Sequence, residues 1–464
     1  MMGERIEITR QSRVAVLGLG VSGRAAVDYA LFCGAEVLIS DSRSEKQLSS
    51  EEKVLLSLPR VKWEAGGHSH QFLAGANLVL LSPGVDPELP LLADLRRQGV
   101  PVVGELAVVA GHIPVPLIAV SGTNGKTTVT TLVGELLAEA GKKVFVGGNI
   151  GTPLYDYLRA PAGYEFVVAE LSSFQLQSAG AFAPDIAVLL NITPDHLDRH
   201  HDFAAYRAAK MQLFANRSSG APAILNGDDP VCRDIAAGLG HGCLLFGRGA
   251  DCAARPEDEG VTLLWQGDQE RYHLQGTPLA LGMGPLNAAA AILAGRCAGC
   301  RPQEIQAALR RFRPLAHRLE LVAEVDGVTF YDDSKATNTG AVVAALTHFA
   351  APVVLIAGGR DKGDDYRLLR PAVAGRVKKV VLLGEAAGLL EEALADVVAC
   401  VRAESMAEAV SLAAAAAGGA GVVLLAPACA SFDMFRSYGH RGEEFRRAVL
   451  ALAAGGCRLR KAAG

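Results

Sequence analysis

Residues 117–128 read Leu-Ile-Ala-Val-Ser-Gly-Thr-Asn-Gly-Lys-Thr-Thr. An apolar run of strand length enters a glycine-rich turn, and an amphipathic stretch to about Ala140 follows. A buried strand that turns through glycines into a helix headed by Lys and Thr is the P-loop arrangement. Its backbone N–H groups and helix N-terminus face anionic phosphates. Gly122, Thr123, Asn124 and Gly125 make the turn, Lys126 is placed to reach β- and γ-phosphates, and Thr127 to hold Mg²⁺. The first glycine of the usual pattern is missing: Val120 stands there, and Gly122 comes two residues later. A plain strand-to-helix turn would not need Gly-Lys-Thr-Thr at its junction.

The surrounding chain sets the context. Apolar runs at 14–17, 37–39, 78–81, 166–169, 186–190, 353–357, 380–383 and 422–425 alternate with longer helical segments. Short buried runs separated by helices indicate βαβ units and parallel sheets, so the fold class is α/β. At ~100–200 residues per domain, 464 residues make about three. We expect them at 1–103, 104–313 and 314–464, the second beginning after Pro101 and the third at Arg313-Pro314.

A net charge of -4 argues against a broad nucleic-acid face, which needs a basic surface. Nine scattered cysteines fit free thiols in a reducing cytoplasm. Cys297 and Cys300 form a CxxC with no second Cys or His pair nearby, which weakens a metal or redox reading. The opening MMGERIEITR has no apolar stretch of the signal-peptide kind, and none is expected. Residues 409–429 carry no charge, but Gly418, Gly419 and Gly421 interrupt them. A buried helix and a buried strand fit better than a membrane span.

Polar clusters follow several of the predicted strands. Gly18-Leu19-Gly20-Val21-Ser22-Gly23 comes after the first, with Asp41 at the end of the next. This resembles a dinucleotide fingerprint; alone it marks a nucleotide-diphosphate site or a tight βα turn equally well. Ser82-Pro83-Gly84 follows another strand of the same block. Glu170 ends the run at 166–169, a place suited to holding Mg²⁺. Asn191-Ile192-Thr193-Pro194-Asp195-His196-Leu197-Asp198 follows the next run, and His196 and Asp198 are candidates for a second metal or the phosphates. Capping or loop solvation would explain each of these singly. Lys210, in the helical stretch 203–214, reads by itself as a solvated helix lysine. In the last block His317-Arg318, then 330–338, then Gly358-Gly359-Arg360-Asp361-Lys362, then 427–433 bring polar groups to strand ends. Lys335 and Lys362 suit a carboxylate ligand.

Together these segments resemble the Mur ligase family over nearly the whole chain. The loop at 122–128 is shared with folylpolyglutamate synthase relatives and does not choose a substrate. More specific are Gly147-Gly148-Asn149-Ile150-Gly151, Glu170-Leu171-Ser172-Ser173-Phe174-Gln175 and Asp195-His196-Leu197-Asp198. Most specific are Asp333-Ser334-Lys335-Ala336-Thr337-Asn338 and Pro427-Ala428-Cys429-Ala430-Ser431-Phe432-Asp433, which look like the D-glutamate-adding branch. The resemblance implies a Rossmann-like N-terminal domain, a central P-loop ATPase-type domain and a Rossmann-like C-terminal domain. It implies a cytoplasmic, monomeric ATP-dependent amide ligase of peptidoglycan precursor synthesis, without nucleic-acid or membrane partners. Its substrates would be UDP-N-acetylmuramoyl-L-alanine and D-glutamate, joined through an acyl phosphate.

Site residues carry over as follows. Lys126, Thr127 and Thr128 bind ATP phosphates and Mg²⁺, and Glu170 and His196 support two magnesium ions. Lys210 matches a lysine carbamylated to act as a carboxylate beside the metal. Asn287, Arg318 and Asp333 contact the nucleotide, and Asn149 the substrate. Gly18, Gly20, Ser22, Gly23, Asp41 and Ser42 take the UDP part, so the first block is not an NAD site. Lys335, Thr337, Lys362, Ser431 and Tyr438 belong with the D-glutamate end, although Phe is usual where Tyr438 stands. Residues 282–287 lack the His-Asn pair that normally helps to hold adenine; only Asn287 matches. A ligase for another amino acid is the nearest rival reading. A dehydrogenase leaves the P-loop unexplained, and a non-catalytic nucleotide sensor does not need intact Lys126, Glu170 and His196.

Overall fold

The computed structural model describes residues 5–313, 316–349, 352–419, 421–454 and 459–460. The expected boundary residue Pro314 lies outside the described residues, as does the Asp198 side chain.

The described chain forms three sheets. The first holds β1 (Arg13–Leu17), β2 (Glu36–Asp41), β3 (Val61–Ala65), β4 (Leu78–Leu81) and β5 (Val102–Gly104) in the order β3-β2-β1-β4-β5, all parallel. Leu17 is level with Ser40 and Leu81, so the loops at 18–23, 41–43 and 82–84 leave one carboxyl edge. Apolar clusters cover both faces, one around Val14, Val16 and Ile39, the other around Ala15, Leu17 and Leu38. Successive residues of a strand point to opposite faces, which is why its apolar residues run on without alternation.

The second sheet has a parallel core and an antiparallel edge. Its strands are β6 (Leu117–Ser121), β7 (Val144–Gly148), β8 (Phe166–Glu170), β9 (Ile186–Leu189), β10 (Ala223–Asn226), β11 (Cys243–Phe246), β12 (Ala254–Glu257), β13 (Gly260–Trp265) and β14 (Asp268–His273). The order is β14-β13-β12-β11-β10-β9-β6-β8-β7. The hairpin of β13 and β14 turns at Gln266 and Gly267, both at positive φ, as a two-residue hairpin turn requires. Sequence reading predicted only parallel sheets here, because βα alternation dominates the block. The third sheet runs β19-β18-β17-β20-β16-β15-β21. It comprises β15 (Glu320–Val325), β16 (Val328–Asp332), β17 (Val353–Gly358), β18 (Val377–Leu383), β19 (Cys400–Arg402), β20 (Val422–Leu425) and β21 (Leu459–Arg460). Residues 409–429 form most of the helix Met406–Ala417 followed by β20. Among the described residues no helix is long and apolar enough to cross a membrane.

The sheets meet through a few polar contacts. Arg199 donates to the carbonyls of Gly84 at 2.8 Å and Val85 at 2.5 Å, joining the first sheet's loops to the central domain. Lys362 Nζ stands 2.7 Å from Asp195 Oδ1, and Asn338 Nδ2 donates to Asp195 Oδ2 at 2.9 Å. These contacts close the third domain against the second.

Candidate active site

The P-loop has the expected form. β6 ends at Ser121, and the helix Lys126–Glu139 starts after Gly125, whose φ of 85° is left-handed. The Lys126 side chain folds back over its own loop, donating to the carbonyls of Gly122 at 2.9 Å and Thr123 at 2.8 Å. Burial pushes its pKa down, and Glu170 opposes that shift. Incoming phosphates would replace these carbonyls as partners.

Beside the loop, sheet register brings strand ends together. Gly148 of β7 and Val120 of β6 flank Glu170 of β8. Asn149 Nδ2 donates to Glu170 Oε1 at 2.7 Å. Glu170 Oε2 is buried with no protein partner. A buried carboxylate oxygen left unpaired is costly, and a cation would satisfy it. Thr127 is buried at the start of the helix on the same loop. His196 sits at positive φ with its ring 5.0 Å from that of Phe174 and Nε2 3.7 Å from Asp195 Oδ2. The donor set therefore fits a hard divalent ion.

Lys210 departs from its reading as a solvated lysine. It is only 1% exposed, and its Nζ donates to Gly122 O at 2.8 Å. Burial, reinforced by Lys126, pushes its pKa well below the usual lysine range. Position in a helix did not reveal this, because the helix Phe203–Met211 turns Tyr206, Ala209 and Lys210 inward beneath the P-loop.

On the third sheet, Asp332 of β16 and Ile356 of β17 are both level with Leu425 of β20, so the three polar loops leave one edge. The loop after β16 faces the P-loop across a cleft of about 650 Å³ lined by Asn124, Gly125, Thr128, Asn287, Arg318, Asp333 and Lys335 among others. Burial pushes the Asp333 carboxyl up to about 7, with Arg318 opposing. Burial, with Arg318, brings the Lys335 ammonium down to about 8; its Nζ stands 3.9 Å above the Tyr438 ring centre. Ser431 is buried in the 426–433 loop, Thr337 is half-buried, and Tyr438 opens the helix Tyr438–Ala454.

At the other edge, Gly20 lies open and Ser42 is exposed. Asp41 is buried and holds protein partners: Leu19 N at 2.7 Å and the Arg43 side chain at 2.9 and 3.0 Å. It shapes the glycine loop and orients Arg43, whose Nη2 also donates to Glu52 Oε1 at 2.9 Å.

Sequence reasoning missed several residues that assemble the site. Asp195 and Asn338 stand inside quoted motifs, and their roles as a bridge between domains became visible only in three dimensions. Arg441 had no local signal. It is 1% exposed and donates to Ser334 O at 2.9 Å, Cys429 O at 3.1 Å and Ala430 O at 3.2 Å, tying two of the polar loops together.

Comparison with known proteins agrees with this geometry. Residues 12–104 match the Mur ligase MurD-like N-terminal domain, 120–293 the Mur ligase middle domain, and 317–429 the Mur ligase glutamate ligase domain. The chain belongs to the Mur ligase family, whose members are ATP-dependent amide ligases. A protein of Desulfotalea psychrophila named UDP-N-acetylmuramoylalanine--D-glutamate ligase is 50% identical over 97% of this chain and 99% of its own. One of the same name from Koribacter versatilis is 41% identical, over 96% and 98%. Among solved structures, a pseudomurein peptide ligase type C from Methanothermus fervidus has a TM-score of 0.61 at 16% identity, covering 95% of this chain and 100% of its own. The UDP-N-acetylmuramate-alanine ligase MurC of Thermotoga maritima has 0.59 at 19%, covering 95% and 99%. These distant structures share the three-domain fold.

Proposed function

We propose that this chain joins D-glutamate to UDP-N-acetylmuramoyl-L-alanine at the expense of ATP, in the cytoplasmic synthesis of peptidoglycan precursors. The observation that carries the reading is the cleft in which the P-loop residues Asn124, Gly125 and Thr128 face Arg318, Asp333 and Lys335. Residues 1–103 hold the UDP end, 104–313 the ATP and 314–464 the amino acid. The lactyl-alanine carboxylate attacks the γ-phosphorus of ATP, ADP leaves, and an acyl phosphate forms. The D-glutamate amine then attacks the acyl carbon, loses a proton and expels inorganic phosphate.

The protein contributes position and charge rather than covalent chemistry. Lys126 exchanges its loop carbonyls for phosphate oxygens and steadies the charge that builds up during transfer. Thr127, Glu170, His196 and Lys210 would hold two magnesium ions, which when bound supply charge neutralisation. Lys210 is favoured as a neutral amine, the form that adds CO₂ to give a carbamate and a proton. Such a carbamate would place an anion beside the metal site. Closure of the third domain excludes water from the acyl phosphate. The chain acts as a monomer in this reading.

The test is phosphate release from ATP with Mg²⁺ and UDP-N-acetylmuramoyl-L-alanine, comparing D-Glu, L-Glu, D-Asp and L-Lys. Release that needs D-Glu is expected. Release driven by another amino acid would keep the ligase and overturn the substrate.

A further inference from the structure

The junction between the first two domains runs close to the histidine at the cation site. Ser82 Oγ donates to Gly18 O at 2.6 Å, and Val85 Cγ2 lies 2.9 Å from where a side chain on Gly18 would begin. Val85 N donates back to Ser82 O at 2.9 Å. The glycine loop at 18–23 and the turn at 82–85 are therefore one packed unit. In a close-packed unit, a ligand that fixes one part fixes the other.

Arg199 of the central domain holds that turn. Its two terminal nitrogens donate to the carbonyls of Gly84 and Val85, and its guanidinium carbon lies 5.4 Å from the centre of the Phe174 ring. A guanidinium over an aromatic ring is attracted by the ring quadrupole. Ser82, Pro83 and Val85 face Phe174 and Gln177 across a gap of about 10 Å³, no more than the room one water needs. The turn thus rests almost directly on Phe174.

Phe174 in turn stands beside His196. Their rings meet edge to face, 5.0 Å between centres. His200 lies parallel to Phe174 at 5.1 Å, and its Nε2 is 2.9 Å from Ser173 Oγ. His196 has a φ of 56°, a left-handed conformation that a non-glycine residue keeps only where its surroundings hold it. Phe174 also comes four residues after Glu170, the strand-end carboxylate of the same cation site.

We propose that Arg199 is a positioning residue that couples the two ligand sites. A UDP-linked substrate on the glycine loop steadies the 82–85 turn, Arg199 ties the turn to Phe174, and Phe174 seats the His196 ring for the cation that accompanies the nucleotide. Binding at either site then strengthens binding at the other by the same factor, because such coupling is reciprocal. The inference rests on the ligase reading for both ligands and adds the residue that links them.

The test measures equilibrium binding of UDP-N-acetylmuramoyl-L-alanine to the full chain, with and without saturating Mg²⁺ and β,γ-methylene ATP, which is not hydrolysed. The ratio of the two dissociation constants is the coupling factor. Wild type is compared with Arg199→Met, Arg199→Lys, Phe174→Leu and the double variant Arg199→Met/Phe174→Leu. Wild type should bind about fivefold or more tightly with the nucleotide present, the low end of the usual range for coupled sites. In Arg199→Met the factor should fall towards one. A change that only loosens the fold weakens both dissociation constants alike and leaves their ratio standing. Arg199→Lys keeps a cation near the ring but cannot fork onto two carbonyls, so it should retain part of the factor. The double variant should lose no more than Arg199→Met alone, since both changes break one connection. An unchanged factor in Arg199→Met overturns the proposal. So do losses that add in the double variant, and a wild-type factor near one, which needs no variant to fold. No binding of the UDP-linked substrate to wild type under either condition would instead overturn the ligase reading itself.

Discussion

Lys210 and Lys335 show how burial decides what a lysine does. Both ammonium groups are pushed below the usual range, Lys210 by full enclosure beneath the P-loop and Lys335 by the cleft and Arg318. If Lys210 carries a carbamate, replacing it with alanine removes an anion beside the metal. Activity should fall by about 10–100-fold, the range for losing a group that supports metal ligands. Depleting dissolved CO₂ should lower wild-type activity and leave Lys210→Ala unchanged; equal responses of the two would sink the carbamate. Lys335 gives a pH dependence of definite sign. Its ammonium is charged below about 8 and neutral above, and a neutral amine attracts a carboxylate far less. The kcat/KM for D-glutamate, which reports the enzyme form that D-glutamate meets, should therefore carry a descending limb as pH rises through about 8. Lys335→Gln should lose that limb along with most of the affinity, and a variant that keeps the limb would assign it elsewhere.

Between residue and domain, backbone contacts set the limits. The helix Val21–Phe32 begins so close to the first glycine loop that a Cβ on Gly23 would lie 1.9 Å from Gly18 O. Nothing on the backbone can yield cheaply, so Gly23→Ala must pull helix and loop apart. Forced overpacking of this kind costs about 1–3 kcal/mol. Thermal unfolding should show a lower midpoint, and affinity for the UDP-linked substrate should fall more than affinity for ATP. Equal loss for both ligands would mean that the loop at 18–23 has no special part in binding the UDP end.

For the whole molecule, the arrangement of domains hangs on a small buried polar bridge. Burial would raise the Asp195 pKa, yet Lys362 and His196 hold it below the usual carboxylate value. Breaking one partner of a buried ion pair costs about 3–5 kcal/mol when the other stays buried. Lys362 can avoid that cost if the third domain moves away and lets it reach water. Asp195→Asn should therefore raise the radius of gyration of the ligand-free chain in small-angle scattering while each domain stays folded. Scattering identical to wild type would show that other contacts hold the domains closed.

Local patterns alone were enough to read the α/β class, the P-loop and the strand-end clusters. A buried parallel strand must be apolar along its length, and a phosphate loop must have glycines and a lysine in fixed order. The antiparallel edge of the second sheet escaped notice because its turn, Gln266-Gly267, is short and lies among βα units. Lys210 was misread from its own helix because exposure depends on what packs over a residue, here the P-loop and Tyr206. Likewise Arg441, Asp195 and Asn338 owe their roles to loops that are far apart in the chain and adjacent across the cleft. Sequence by itself determined which elements form and which side chains are available to bind phosphate, cation and carboxylate, since these follow from periodicity and residue chemistry. Tertiary structure alone decided which of those groups are desolvated, paired or left without a partner, because burial and distance arise only when separate elements come together.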